Sequence, residues 1–160
     1  MKKIKPSEGN KTFCMAPWTH TYLSPQMERR LCCSSREDSQ NFKQYIDTLP
    51  RNWENHVSTG EINLQTLEQH WNSNYMKAVR KKLMAGEEIP QCQVCNHKLL
   101  SVATYRTHFN KLYEKQIDEA FEKTTDDGYT DMKVTSWDYR FNNLCNFKCR
   151  MCGDMLSSSW

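Results

Sequence analysis

The chain contains 160 residues, with 22 Lys and Arg against 19 Asp and Glu, and its formal net charge is +3. This length fits one domain or two small ones, since domains commonly contain roughly 100–200 residues. Such a small charge does not by itself indicate nucleic-acid binding, and no apolar run approaches the roughly 18 residues of a membrane span. We therefore expect a soluble cytoplasmic protein with no nucleic-acid or membrane partner.

The apolar content is low for a globular chain. Hydrophobic residues make up 38% of the sequence and the mean hydropathy is -0.86, whereas ordinary domains contain roughly 45–50% apolar residues. The sequence also contains eight cysteines. In a reducing compartment, this many thiols indicates metal or redox chemistry rather than a disulfide framework.

The cysteines fall into three groups along the chain. These groups are Cys14, Cys32 and Cys33, then Cys92 and Cys95, and finally Cys145, Cys149 and Cys152. The middle pair has C-x2-C spacing, which places two thiolates on one turn and suits either zinc or an iron–sulfur cluster. Adding Cys14 and either Cys32 or Cys33 gives four ligands, and a four-thiolate site is closed, as in structural or electron-transfer centres.

The first helical pattern lies between the early and the middle cysteines. Its apolar residues recur at three- and four-residue intervals: Leu64, Leu67, Trp71, Tyr75, Ala78, Val79 and Leu83. Gly86 and Pro90 supply a stop signal, so the pattern predicts a helix over about residues 63–85. The charged run Arg80–Lys82 is typical of a solvated helix face.

A second helical pattern follows the C-x2-C pair. It consists of Val102, Tyr105, Phe109, Leu112, Tyr113, Ile117, Ala120 and Phe121. This pattern predicts a helix over about residues 99–123 whose aromatic residues lie in the core, closed by a turn at Asp126–Gly128. The period then changes to two, because side chains alternate over residues 131–141, which predicts a strand.

The last cysteine group begins four residues after this strand. Cys145, Cys149 and Cys152 have C-x3-C-x2-C spacing, which lets a short loop offer three thiolates to three irons of one cluster. Closed iron–sulfur sites take four cysteines, so three leave one iron open, and an open metal position is typical of a site where substrate binds. Three zinc ligands completed by a fourth from elsewhere, or plain core thiols, are the alternatives.

This motif directly after a strand resembles the signature of the radical S-adenosylmethionine (radical SAM) superfamily. The flanking residues that share the resemblance are Arg140, Asn143, Asn146, Arg150, Gly153 and Trp160. The resemblance implies that Cys145, Cys149 and Cys152 hold a [4Fe-4S] cluster whose open iron chelates S-adenosylmethionine (SAM). It further implies an enzyme in which one-electron reduction cleaves SAM to a radical that abstracts a substrate hydrogen.

The earlier cysteines resemble the twitch domain, a shortened relative of the SPASM auxiliary-cluster domain of radical SAM enzymes. The matching stretches are Cys14–Trp18, Cys32 with Cys33, and the segment from Trp71 through Arg80 and Gly86 to Cys92 and Cys95. The resemblance implies an auxiliary [4Fe-4S] cluster held by Cys14, Cys32, Cys92 and Cys95, with Cys32 favoured over Cys33 by register. Zinc is the competing metal, and His20 or His97 are available for a mixed Cys/His site.

The two resemblances together imply an α+β chain. Residues 1–128 would form a cysteine-rich, mostly helical auxiliary-cluster domain, and residues 129–160 the first strand and cluster loop of a partial (β/α) barrel. Only eight residues follow Cys152, whereas a full eightfold barrel takes about 250 residues, so we expect a truncated and inactive piece of the enzyme. The expected partners are a peptide or protein substrate and a reductant such as flavodoxin or ferredoxin. The alternative function is a non-catalytic binding module stapled by zinc or an iron–sulfur cluster.

Overall fold

The computed structural model describes residues 2–23, 29–36, 66–97, 103–140 and 144. Over these residues the chain forms short α-helices, single 3-10 turns and one three-stranded sheet. None of the described helices is long and apolar enough to cross a membrane. The mixed helical and sheet composition expected from the sequence is confirmed, whereas the barrel expected from residue 129 onwards stays a prediction.

The elements are numbered in chain order. The helices are α1 (Ala16–Thr19), α2 (Leu67–Trp71), α3 (Asn74–Met84), α4 (Gln93–His97), α5 (Tyr105–Leu112) and α6 (Ile117–Glu122). The strands are β1 (His20–Leu23), β2 (Arg29–Arg30) and β3 (Ser136–Tyr139). The 3-10 turns are Pro6–Glu8, Pro90–Cys92 and Glu114–Gln116.

The sheet has the strand order β2-β1-β3. β1 pairs with β2 in the antiparallel sense and with β3 in the parallel sense, where His20 lies opposite Ser136. All four residues of the central strand β1 are buried. The parallel pairing therefore fixes β3, near the end of the described chain, against the segment that follows Cys14.

The predicted strand over residues 131–141 is shorter in the structure. β3 covers only residues 136–139, and residue 141 lies outside the described residues. The carbonyl of Met132 accepts a hydrogen bond from Trp71 Nε1 at 2.8 Å, so this stretch bonds to a side chain rather than to a strand. The alternation itself holds, because Met132 is buried while Trp137 is 57% exposed.

The predicted helix over residues 63–85 is two helices, and residues 63–65 lie outside the described part. The break between α2 and α3 falls at Asn72–Ser73, where the Ser73 side chain caps α3 by accepting from Met76 N. Asn72 donates to the Thr130 carbonyl at 3.0 Å, a bond to a distant segment that local periodicity does not report.

The predicted helix over residues 99–123 is likewise interrupted. α5 and α6 are separated by the Glu114–Gln116 turn, and residues 98–102 lie outside the described part. The expectation of core aromatics holds for Phe109 and Phe121, which are buried, but not for Tyr105, which is 46% exposed.

The predicted turn at Asp126–Gly128 is confirmed. Gly128 has φ +90°, and its N–H bonds to the Thr125 carbonyl at 2.9 Å. A Cβ at Gly128 would clash with the Lys77 carbonyl oxygen on α3. Glycine is therefore required both by the left-handed backbone and by the close approach of the turn to α3.

The solvated face predicted for Arg80–Lys82 is wrong at Arg80. Lys81 and Lys82 are exposed, but Arg80 is fully buried, with its guanidinium 4.8 Å from the centre of the Trp71 ring. Arg80 Nε donates to the Pro17 carbonyl at 3.0 Å, and burial lowers the pKa of Arg80 to about 9. Arg80 follows Met76 by four residues and so lies on the buried face of α3. The prediction failed because it used the charge of the Arg80–Lys82 run and not this spacing.

Candidate metal centre

Cys14 lies immediately before α1 in a tightly bonded segment. Asn10 fixes the backbone that leads to Cys14, because Asn10 Oδ1 accepts from the N–H groups of Thr12 and Phe13, each at 3.0 Å. Cys14 is buried, and the backbone N–H of Ala16 lowers the pKa of its thiol against the larger effect of burial. Backbone N–H groups near a sulfur favour the thiolate and are among the interactions that tune iron–sulfur clusters.

Cys32 lies in the turn that follows β2. The turn closes where Ser35 donates to the Cys32 carbonyl, from its N–H at 3.1 Å and from its hydroxyl at 2.8 Å. The backbone N–H of Ser34 lowers the pKa of Cys32, as that of Ala16 does at Cys14. Two of the predicted ligands are therefore each followed, two residues later, by a backbone N–H group that favours the thiolate.

Cys92 and Cys95 lie where the Pro90–Cys92 turn runs into α4. Cys92 N donates to the Ile89 carbonyl at 3.0 Å, and Cys95 is buried. A main-chain bond of 3.0 Å from Arg36 N to the Gln91 carbonyl joins this turn to the Cys32 loop. This bond thus holds the Cys92 turn next to the Cys32 loop, which is distant from it in sequence.

The four predicted ligands lie within electrostatic range of one another. Burial raises the pKa of Cys14 well above its ordinary value, and the thiols of Cys32 and Cys92 add to this. Burial also raises the pKa of Cys32 to about 12, with further contributions from Cys33, Cys92 and Cys95. Without a cation, both groups are neutral thiols, so metal binding at this site must release protons.

Cys33 has different surroundings from those of Cys32. It interacts with the side chain of Tyr105, and this interaction raises the pKa of Tyr105. The guanidinium of Arg140, which lies 5.3 Å from the centre of the Tyr22 ring, is also on this side of the loop. The arrangement supports Cys32 as the ligand, and that assignment stays a prediction.

The two histidines considered as alternative ligands differ in burial and in contacts. His20 Nδ1 is 2.9 Å from Ser136 Oγ, and its ring packs on Phe109 with centroids 4.8 Å apart. His97 ends α4 and is exposed. His20 is therefore engaged between the sheet and α5.

Among the described residues, no group of three or more His, Cys, Asp or Glu side chains converges to hold one metal ion. A zinc site places its sulfurs about 2.3 Å from a single point. A four-iron cluster takes each thiolate at a separate iron, so its ligands do not converge on one point. The described residues thus form no preformed mononuclear site, and the four-cysteine ligand set stays a prediction.

Two polar residues of α5 contact the ligand segments and were not identified from the sequence. Asn110 bonds to the residues on either side of Cys14, because its Nδ2 donates to the Phe13 carbonyl at 2.9 Å and its Oδ1 accepts from Met15 N at 2.8 Å. Arg106 lies one turn earlier on the same helix face. The i, i+4 spacing of the two polar residues was the available signal.

The second predicted cluster site follows β3. Cys145, Cys149 and Cys152 lie outside the described residues. The nearby described residue Arg140 extends the parallel pairing, because its N–H donates to the Leu23 carbonyl at 2.9 Å. The three ligands of this motif stay a prediction.

Comparison with protein-family models matches residues 14–96 to the SPASM iron–sulfur cluster-binding domain. The matched segment begins at Cys14 and ends one residue after Cys95, so it contains all four predicted ligands of the N-terminal site. No curated protein and no solved structure matched the chain significantly. The match covers more than half of the chain and brings with it iron–sulfur cluster binding of a kind typical of radical SAM enzymes. The chain therefore belongs to the SPASM iron–sulfur cluster-binding domain family.

Proposed function

We propose that this chain contains an auxiliary-cluster domain and the cluster-binding loop of a radical SAM enzyme. In this proposal Cys14, Cys32, Cys92 and Cys95 hold an auxiliary [4Fe-4S] cluster. The observation that supports this proposal is that Cys14 interacts with Cys32 and Cys92, and Cys32 with Cys92 and Cys95, across three segments within the residues matched to the SPASM family.

The residues around the N-terminal site fit such a cluster. The main-chain N–H groups of Ala16 and Ser34 favour the thiolates of Cys14 and Cys32, and Cys14 belongs to the apolar core. Hydrogen bonds to sulfur and exclusion of water are the means by which a protein sets the potential of an iron–sulfur centre. The chain's part is to hold the ligands, orient them and keep water away.

The C-terminal motif is assigned to the reactive centre. Cys145, Cys149 and Cys152 would hold a second [4Fe-4S] cluster with one iron open to SAM. That group, when bound and reduced by a flavodoxin or ferredoxin, supplies the hydrogen-abstracting radical, and a peptide or protein side chain is the proposed substrate. The parallel pairing of β1 with β3 supports the proposal to the extent that it places β3, the strand that precedes this motif in sequence, beside the segment that follows Cys14.

Metal analysis after anaerobic reconstitution tests the assignment of the two sites. We expect about eight irons and eight acid-labile sulfides per chain, and about four of each after Cys145, Cys149 and Cys152 are changed to serine. Cys33→Ser is the matched control and retains the full complement. Zinc without labile sulfide would contradict the proposal and favour a zinc-stapled binding module.

Binding of SAM tests the catalytic part separately. We expect SAM to change the EPR spectrum of the reduced protein, and the serine variant of the C-terminal motif to lose that change. The N-terminal cluster remains in the variant and serves as an internal control. A spectrum that SAM leaves unchanged would favour a non-catalytic iron–sulfur module.

A further inference from the structure

Arg106, on α5, joins two of the segments that carry the predicted ligands. One terminal nitrogen of its guanidinium donates to the Lys11 carbonyl at 2.9 Å, and the other donates to Asn96 Oδ1. Lys11 precedes Cys14 by three residues, and Asn96 directly follows Cys95. α5 lies after the segment matched to the SPASM family, so this link comes from outside the matched residues.

The guanidinium of Arg106 is buried and one of its donors has no partner in the described residues. Arg106 is 4% exposed, and its Nε has no hydrogen-bond acceptor there. A buried donor without an acceptor costs free energy, so an unpaired one calls for an explanation. An anionic cluster with acceptor sulfurs beside Cys14 would supply both an acceptor and a countercharge.

The guanidinium of Arg106 brings a positive charge to the predicted ligand site, because it bonds to the segments of both Cys14 and Cys95. No carboxylate forms an ion pair with Arg106 among the described residues. No acidic residue there therefore neutralises this charge.

We propose, resting on the proposed auxiliary cluster, that Arg106 positions the Cys14 and Cys95 segments and that its positive charge raises the reduction potential of that cluster. A cation stabilises the more negative, reduced state of a cluster, and net charge and hydrogen bonding are established determinants of cluster potentials. Asn110 holds the same Cys14 segment without a charge, so it separates positioning from electrostatics.

The test is an EPR-monitored redox titration of the full chain with Cys145, Cys149 and Cys152 changed to serine. We expect Arg106→Gln to lower the potential, with at least a tenfold fall in the ratio of reduced to oxidised cluster at the parent midpoint, about 59 mV for one electron. Arg106→Lys keeps the charge and is expected to stay near the parent potential. Asn110→Ala is expected to lower iron occupancy without that shift in the remaining cluster.

Each outcome decides the proposal. Arg106→Gln with the parent potential would overturn it, whatever its iron occupancy. If Arg106→Gln binds no iron, the potential of Arg106→Lys decides. A tenfold fall in the ratio of reduced to oxidised cluster in Arg106→Lys, which retains the charge, would overturn the electrostatic role. A parent protein without iron and sulfide would overturn the proposed function itself, whereas a normal cluster with equal potentials would overturn only this inference.

Discussion

The segments that carry Cys32 and Cys92 and the helical core are held by different interactions. Main-chain hydrogen bonds shape the loops, as between Arg36 and Gln91, and the five described cysteines are thiols. The core packs large side chains, and the Phe13 ring lies 5.1 Å from Trp18 and 5.0 Å from Phe121 between centroids. The difference indicates that apolar burial holds the core, whereas hydrogen bonds join the loops, and we expect a bound cluster to add to these bonds.

Loss of one cluster ligand is expected to give the largest effect and to fall on the loops. We expect Cys14→Ser to lose the N-terminal cluster and with it folding free energy on the order of 10 kcal/mol. Iron analysis and hydrogen exchange of the loop amides measure these losses. Cys33→Ser is the control, and equal iron loss in the two variants would contradict the assignment of Cys33 as a non-ligand.

Truncation of Arg80 is expected to give the largest effect on the core. Arg80→Ala leaves a cavity beside Trp71 and removes the hydrogen bond to the Pro17 carbonyl. We expect the free energy of unfolding to fall by about 4 kcal/mol, measured by urea denaturation. Lys81→Ala, on the exposed side of the same helix, should change it by less than about 0.5 kcal/mol. A similar cost for both variants would contradict the burial of Arg80.

His70 makes the core sensitive to acid. Burial first, and then the charges of Arg29 and Arg80, lower the pKa of His70 from 6.5 to about 4. Below pH 6.5 the unfolded chain binds a proton that the folded chain excludes. Stability is therefore full above pH 6.5 and falls by about 3 kcal/mol as the pH drops towards 4.

Urea denaturation of His70→Gln across this pH range measures the contribution of the buried histidine. The variant should lose this part of the pH dependence, and His97→Gln, at the exposed end of α4, should retain it. A pH dependence that is the same in His70→Gln and the parent would assign the acid sensitivity to other groups.

Gly128→Ala is expected to give the smallest effect on the core. The added Cβ would meet the Lys77 carbonyl and force the turn away from α3, at a cost of roughly 2–3 kcal/mol. Gly9→Ala is the matched control, because Gly9 also has positive φ but a Cβ there would meet nothing within 4 Å beyond its chain neighbours. Its cost should be only about 1 kcal/mol of backbone strain. Equal shifts in thermal midpoint would contradict the close approach at Gly128.

Local patterns in the sequence determined the chemistry and the outline of the fold. The spacing of Cys92 and Cys95 places two thiols on one turn. Alternation put Met132 and Trp137 on opposite sides of the predicted strand, and the structure buries the first and exposes the second; the Asp-Gly signal placed the turn at Gly128. These features depend on residues close in sequence, so periodicity and turn chemistry are enough to identify them.

Tertiary contacts decided which of these residues work together. Burial of Arg80 depends on the Pro17 carbonyl, 63 residues away, and the contacts of Arg106 and Asn110 with the Cys14 segment span 95 residues or more. The different surroundings of Cys32 and Cys33 also arise only when the loop packs against α5. A local pattern reports which side of an element is apolar but not which distant group it meets, because that choice is made by packing of the whole chain.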